Sequence, residues 1–301
     1  MLRRYKGNPV IRPIKTHAWE KYVYNTAAIF EAGRVHLVYR ALGTNSVSRF
    51  GYASSLDGFE FDERSEKPIF VPRVNPELRM VRFNNFGVED PRITKIGDKF
   101  YMVYAATNGR IAQVALASIE VNDFLLKKWN WRRYGVLFPN WDNRNAVLFP
   151  EKINGKYVLY HRLKPSIWIS YSKDLKNWSK PKIVMEPRKG KWDNLKIGAA
   201  GPPIKLEDYW LFIYHGVEQI EGRGIYRLGY ALIDLKNPEK ILYRSKDPIL
   251  EPIKDYEKKG QVPDVVFSCG AIILGKKVLV YYGGADTVIC LATGKVSDFV
   301  A

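Results

Sequence analysis

The feature that most limits how this chain can fold is a five-fold repeat. A Gly- or Asp-led turn followed by an apolar strand ending in tyrosine recurs at Gly33–Tyr39, Gly97–Tyr104, Gly155–Tyr160, Asp208–Tyr214 and Gly275–Tyr281. The closing tyrosines stand 65, 56, 54 and 67 residues apart. A small-residue, apolar segment precedes each copy, at Asn25–Phe30, Asp90–Ile93, Asn145–Phe149, Gly201–Ile204 and Cys269–Ile273. A third strand-like run follows each, at Phe50–Ser54, Gln113–Ala117, Ile167–Tyr171, Leu228–Leu232 and Val288–Ala292. In three copies a polar turn then leads to a further aromatic or apolar residue, as in Ser172–Trp178. Short β-branched and aromatic runs separated by Gly, Asp, Asn and Pro read as strands.

A lone four-stranded antiparallel sheet cannot bury both of its faces. Five such units packed radially cover one another and leave only short edges. The expected fold is therefore all-β, a five-bladed β-propeller with an axial funnel, formed as a single domain over residues 1–301. A β-sandwich is the competing architecture, and the five-fold recurrence argues against it. Hydrophobic residues make up 46% of the chain, which excludes gross disorder. No apolar run is long enough to span a membrane, and Met1–Lys6 lacks the apolar region of a secretory signal. The expectation is a cytoplasmic protein without a membrane partner. Cys269 and Cys290 sit in apolar runs and read as buried thiols. No cysteine or histidine spacing suggests a zinc site, so no metal is expected.

The net charge is +17, from 48 basic and 31 acidic residues. The basic residues are dispersed, which favours a solvated surface or a small anionic ligand over nucleic acid. In a propeller the inner strands converge on the axis, so polar residues that interrupt them carry the information. Glu89 and Asp90 open the second inner strand, just before Pro91 and Arg92. Adjacent carboxylates there are costly unless solvated, paired or used; the plainer reading is a turn acid paired with Arg92. Arg144, Asn145, Arg162, Lys196 and His215 recur at corresponding places in the third and fourth copies. Each alone reads as a surface charge or a satisfied core residue. Together, cations crowded at low dielectric repel unless an anion lies between them. Phosphate suits Arg forks and a Lys point charge, yet no P-loop is present. Asn25, Arg40 and Asp286 offer the mixed donors and acceptors that suit sugar hydroxyls.

These residues lie in longer stretches at Gly87–Ile93, Ala146–Tyr157, Lys196–Pro203, Tyr214–Val217, Tyr226–Leu232 and Val265–Ile272. On these motifs the chain resembles glycoside hydrolase family 130, the β-mannoside phosphorylases, over nearly its whole length. The resemblance implies a five-bladed propeller and an inverting phosphorolysis of short β-1,4- or β-1,2-mannosides to α-mannose 1-phosphate. It implies that Asp90 is the general acid, acting through the 3-hydroxyl of the mannose. It places Arg144, Asn145, Arg162, Lys196 and His215 on phosphate, and Asn25, Arg40, Asp286 and Tyr226 on the sugar. A hydrolase normally needs two carboxylates, whereas phosphate is already a nucleophile. The implied partners are a β-mannoside oligosaccharide and inorganic phosphate as co-substrate, with no cofactor. Oligomeric state is left open, a homo-oligomer included.

Two other functions compete. A β-mannoside hydrolase needs a second carboxylate, for which Glu151 and Asp286 qualify by position. A non-catalytic propeller would bind glycans or a protein through its basic residues. Linkage and acceptor choice fall to rim loops such as 73–86 and 218–224.

Overall fold

The computed structural model describes residues 2–78 and 85–299, so part of the rim loop at 73–86 lies outside the described residues. The chain is all-β. Each unit starts with a strand buried along most of its length: Tyr22–Glu31, Phe86–Ile96, Arg144–Leu148, Lys196–Ala199 and Val266–Leu274. These inner strands pair antiparallel with Arg34–Leu42, Lys99–Thr107, Tyr157–Leu163, Tyr209–Ile220 and Lys277–Gly284. Third strands follow at Val47–Ser55, Ala112–Glu120, Ser166–Ser172, Arg223–Asp234 and Val288–Lys295. Outer strands at Glu63–Arg64, Arg132–Val136, Lys182–Met185 and Ile241–Arg244 complete the first four units.

The fifth unit takes its outer strand from the other end of the chain. Arg3–Arg4 pairs with the third strand, Arg3 opposite Thr293 and Arg4 opposite Ala292. The repeat itself does not reveal this, because two residues carry no periodicity. One inner strand also departs from expectation. In the fourth unit it is Lys196–Ala199, with pairing resumed at Ile204–Lys205, and not Gly201–Ile204. Pro202 and Pro203 have no N–H to donate, so the ladder breaks where they stand.

Period-two alternation sends successive side chains of one strand to opposite neighbours. Val35, Leu37 and Tyr39 meet Leu279, Tyr281 and Ile289 of the fifth unit. Val38, between them, meets Val88, Phe100 and Met102 of the second. Tyr101 and Val103 of the second unit pack on Leu148 and Leu159 of the third. Val147 and Tyr160 then meet Ile197 and Phe212 of the fourth. Leu211 and Leu228 in turn meet Val278 and Val280 of the fifth. The described residues thus form a closed circuit of cores. Where the fifth unit returns to the first, a Cβ on Gly270 would sit 2.3 Å from the Ala28 backbone nitrogen, so only glycine allows that approach.

A polar staple recurs in four units. An acid from the loop before the inner strand meets a second-strand tyrosine and an outer-strand arginine. Glu20 accepts from Tyr39 at 3.2 Å and Arg64 at 2.7 Å. Glu77 accepts from Tyr104 at 2.7 Å and from Arg133. Asp193 accepts from Tyr214 at 2.9 Å and Arg244 at 2.6 Å. Glu257 accepts from Tyr282 at 2.8 Å and Arg4 at 2.7 Å. All four acids are fully or almost fully buried. Buried carboxylates persist only when paired and hydrogen-bonded, so these four arginines have a structural role. The third unit instead uses a neutral cluster, His161 between Asn143 at 2.9 Å and Ser170 at 3.1 Å. Cys269 and Cys290 are buried free thiols. Among the described residues no helix is long and apolar enough to cross a membrane.

Candidate active site

The inner strands of the first three units carry one shared irregularity. Asn25, Asp90 and Asn145 have φ values of 48°, 53° and 51°. Each sits where the pairing register shifts, between Tyr24 and Thr26, Glu89 and Arg92, and Arg144 and Val147. Asn and Asp tolerate this left-handed backbone better than other side chains bearing a Cβ. A bulge re-aims the side chain that it carries. Here three bulges in three units deliver three short polar side chains to one place. Asp286, in the turn between the second and third strands of the fifth unit, has φ 51° and joins them.

These four residues line one cavity of about 170 Å³ with Arg40, Arg144, Arg162 and Tyr226. Val262, Val265 and Phe267 form its apolar wall. The Asn25 amide donates to Asp90 Oδ1 at 2.9 Å, and Arg40 Nη1 donates to the same oxygen at 3.3 Å. Arg40 also donates through Nε to Ser48 at 3.2 Å, and its guanidinium lies 4.8 Å from the Tyr24 ring centre. Arg162 is buried and donates to His215 Nε2 at 3.4 Å. Among the described residues, Asn25 Oδ1, Asn145 Oδ1 and Arg162 Nε are buried without a hydrogen-bond partner. Buried polar atoms of this kind are costly unless a ligand satisfies them.

Of the residues singled out in the sequence, Asn25, Arg40, Asp90, Arg144, Asn145, Arg162, Tyr226 and Asp286 line the cavity. Lys196 and His215 are not among the lining residues; both pack on Tyr226, which is. Lys196 Nζ lies 5.2 Å from the Tyr226 ring centre, and His215 packs 6.1 Å from Tyr226 and 4.6 Å from Phe267. Glu151 is not at the site. It lies on the turn beyond the third inner strand, where Lys205 Nζ donates to both its oxygens at 2.8 and 2.9 Å. That removes one of the two carboxylates considered as a base for water. Arg92 does not pair with either neighbouring side-chain acid. It is fully buried and donates to the carbonyls of Ala200, Ala199 and Asp90 at 2.6, 3.2 and 2.9 Å, tying the second inner strand to the fourth unit. Val262, Val265, Phe267 and Glu89 are residues that sequence reasoning left without a site role. Val265 and Phe267 lie in the Val265–Ile272 stretch but carry no polar side-chain atom to flag them.

Electrostatics divide the cavity. Burial pushes the Asp90 carboxyl up, but Arg40, Arg92, the Asn25 hydrogen bond and Arg144 outweigh it, leaving Asp90 below the usual carboxylate range. Burial raises Asp286 to about 7; Arg40 opposes this, while Asp90 and Glu89 add to it. Burial, then the charge of Arg144, lowers Arg162 to about 10. Burial lowers His215 well below its ordinary value, with Arg162, Arg92 and Lys196 adding to the effect. His215 is therefore a neutral imidazole at pH 7. Its Nε2 accepts from Arg162, which places the ring proton on Nδ1. Among the described residues no group of three or more His, Cys, Asp or Glu is placed to hold a metal ion.

The chain is similar to known proteins along almost its whole length. A family model described as beta-1,4-mannooligosaccharide phosphorylase, glycoside hydrolase 130, matches residues 3–301. A beta-1,2-mannobiose phosphorylase of Thermoanaerobacter sp. (strain X514) is 48% identical, across 97% of this chain and 96% of that protein. A 1,2-beta-oligomannan phosphorylase of the same strain is 42% identical, across 99% and 98%. The solved beta-1,2-mannobiose phosphorylase from Listeria innocua, in complex with beta-1,2-mannobiose, superposes with a TM-score of 0.82 at 30% identity, covering 99% of this chain and 97% of that one. The chain therefore belongs to glycoside hydrolase family 130.

Proposed function

We propose that this chain is an inverting β-mannoside phosphorylase, built as one five-bladed propeller over residues 1–301, that transfers a mannosyl group from a short β-mannoside to inorganic phosphate. The observation that carries this reading is the polarity of a single cavity. Asp90, held by Asn25 and Arg40, shares the lining with Arg144, Asn145 and Arg162. Asp286 feels Arg40, Asp90 and Glu89, whereas Arg162 feels Arg144, Tyr226, Arg92 and Asp90. Asp286 is thus grouped with Arg40, Asp90 and Glu89, and the carboxylates near Arg144 and Arg162 are Glu89, which is already paired, and Asp90, which is assigned as the acid. This favours phosphorolysis over the hydrolase reading.

In this reading the mannose ring lies against Asn25, Arg40, Asp286 and Tyr226. Phosphate sits on Arg144, Asn145 and Arg162, backed by Lys196 and His215. A phosphate oxygen attacks the anomeric carbon as the glycosidic bond breaks on the opposite face. The departing oxygen takes the proton of the mannose 3-hydroxyl, and Asp90 replaces it. The product is α-mannose 1-phosphate. Asp90 must be protonated at that moment, although its cations hold it ionised. A phosphate anion on Arg144 cancels one of those fields and so raises the proton affinity of Asp90. The reaction calls for no cofactor. A phosphate-dependent reaction with two buried reduced thiols fits the cytoplasm. The two Thermoanaerobacter relatives act on β-1,2 linkages by name, which favours a β-1,2-mannoside as substrate.

The test incubates purified protein with β-1,2- and β-1,4-mannobiose, with and without phosphate, and measures mannose 1-phosphate. Phosphate-dependent release is expected, with β-1,2-mannobiose the better substrate. Equal release of mannose with and without phosphate would overturn phosphorolysis. Asp90→Asn keeps a side chain that tolerates φ near 50° and should lower turnover by about 10³-fold or more with the fold intact. Retained turnover would move the acid elsewhere.

A further inference from the structure

Glu89 is nearly buried, with a side chain 5% exposed, and its two oxygens go to different arginines. Arg40 Nη2 donates to Oε1 at 2.6 Å, and Arg144 Nη1 donates to Oε2 at 3.2 Å. Neither arginine is a neighbour of the other in sequence or in sheet; one belongs to the first unit and one to the third. We propose that Glu89 is a positioning residue, a strut that fixes the phosphate-side Arg144 at a set distance from the sugar-side Arg40. The inference rests on the phosphorylase reading and deepens it.

The two ends of the strut differ in how much they depend on it. Arg40 is also held by Ser48, Asp90 and the face of Tyr24. Arg144 has a side chain 35% exposed, and among the described residues Glu89 is its hydrogen-bond partner. Removing Glu89 therefore frees Arg144 far more than Arg40. Backbone geometry supports the division of labour between the two adjacent acids. Asp90 occupies the left-handed bulge and turns into the cavity, while Glu89 keeps its ladder position opposite Ala105. The crowding of cations at this site is thus relieved partly by the protein's own carboxylate, before any anion binds.

A charge effect and a positioning effect predict opposite signs. If Glu89 were only a negative charge in a cationic pocket, its loss would tighten phosphate binding. As a strut, its loss releases Arg144 and weakens phosphate binding. The decisive experiment measures initial rates against phosphate concentration for wild type, Glu89→Gln and Glu89→Asp. Calorimetric titration with inorganic phosphate is run alongside. Glu89→Asp keeps the charge but is too short to span both arginines. Both variants should raise KM for phosphate by about 10- to 100-fold, the value of one charge-assisted hydrogen bond. kcat at saturating phosphate should fall less than KM rises. In an Arg144→Gln background, Glu89→Gln should add little. If Glu89→Gln does not fold, Glu89→Asp carries the test. Unchanged or lower KM in the variants, with wild type still phosphate-dependent, would overturn the strut alone. A wild type indifferent to phosphate would overturn the reading beneath it.

Discussion

Burial makes the Asp286 carboxyl a weaker acid than one in water, and this has a measurable consequence for stability. Burial raises it to about 7, whereas an unfolded chain releases the same proton near pH 4. Below pH 4 both states are protonated and the group contributes no difference. Between 4 and 7 the unfolded chain ionises and the folded one does not, so stability falls as pH rises. Above 7 the full penalty is in place. The gap corresponds to about 4 kcal/mol. Asp286 still faces the open cavity, and solvent there reduces the figure to about 1–3 kcal/mol. Asp286→Asn removes the penalty and keeps a residue that accepts the turn's φ of 51°. The variant should match wild type near pH 4 and be more stable at pH 8. A midpoint gain of about 1.5–2 °C per kcal/mol is expected for a chain of this size. Thermal unfolding at pH 5 and pH 8 reads the difference directly. The same variant should lose turnover, since the carboxylate lines the sugar side, so stability and activity move in opposite directions. A variant no more stable than wild type at pH 8 would refute the raised proton affinity of Asp286.

Two further predictions follow from close contacts. A Cβ on Gly198 would lie 2.5 Å from His215 Cε1 and 3.0 Å from Asn145 Oδ1; Gly198→Ala should raise KM for phosphate several-fold, and unaltered phosphate kinetics would show that this packing does not support the anion site. Arg4→Ala removes a cation from the buried Glu257 at the ring closure, which should cost about 2–4 kcal/mol by urea unfolding, and a loss below about 0.5 kcal/mol would mean that Tyr282 and the backbone N–H groups of Ile253 and Lys254 suffice.

Much of the site was legible because the bulges align with the repeat. Asn25, Asp90 and Asn145 each head the small apolar segment of their copy, and Asn or Asp in register at a strand start already hints at left-handed backbone. Lys196 and His215 are legible as polar interruptions, but their packing on Tyr226 is not, since nothing local tells a lining residue from a supporting one. Glu151 was misread because position along the chain does not say which side of the sheet a turn residue serves.

By itself the sequence determined the number of units, the strand pattern apart from the fourth inner and fifth outer strands, and the residue types that meet at the site. These follow from local periodicity, turn chemistry and the cost of interrupting an apolar strand with charge. Only the tertiary structure decided how the charges are shared. Glu20, Glu77, Asp193 and Glu257 are matched to arginines on distant strands, and Glu89 bridges arginines of two different units. The raised proton affinity of Asp286 likewise depends on burial and on Arg40, Asp90 and Glu89. Such pairings arise between segments that meet only when the ring closes. Electrostatic energy depends on distance through space and on burial, neither of which is written in sequence separation.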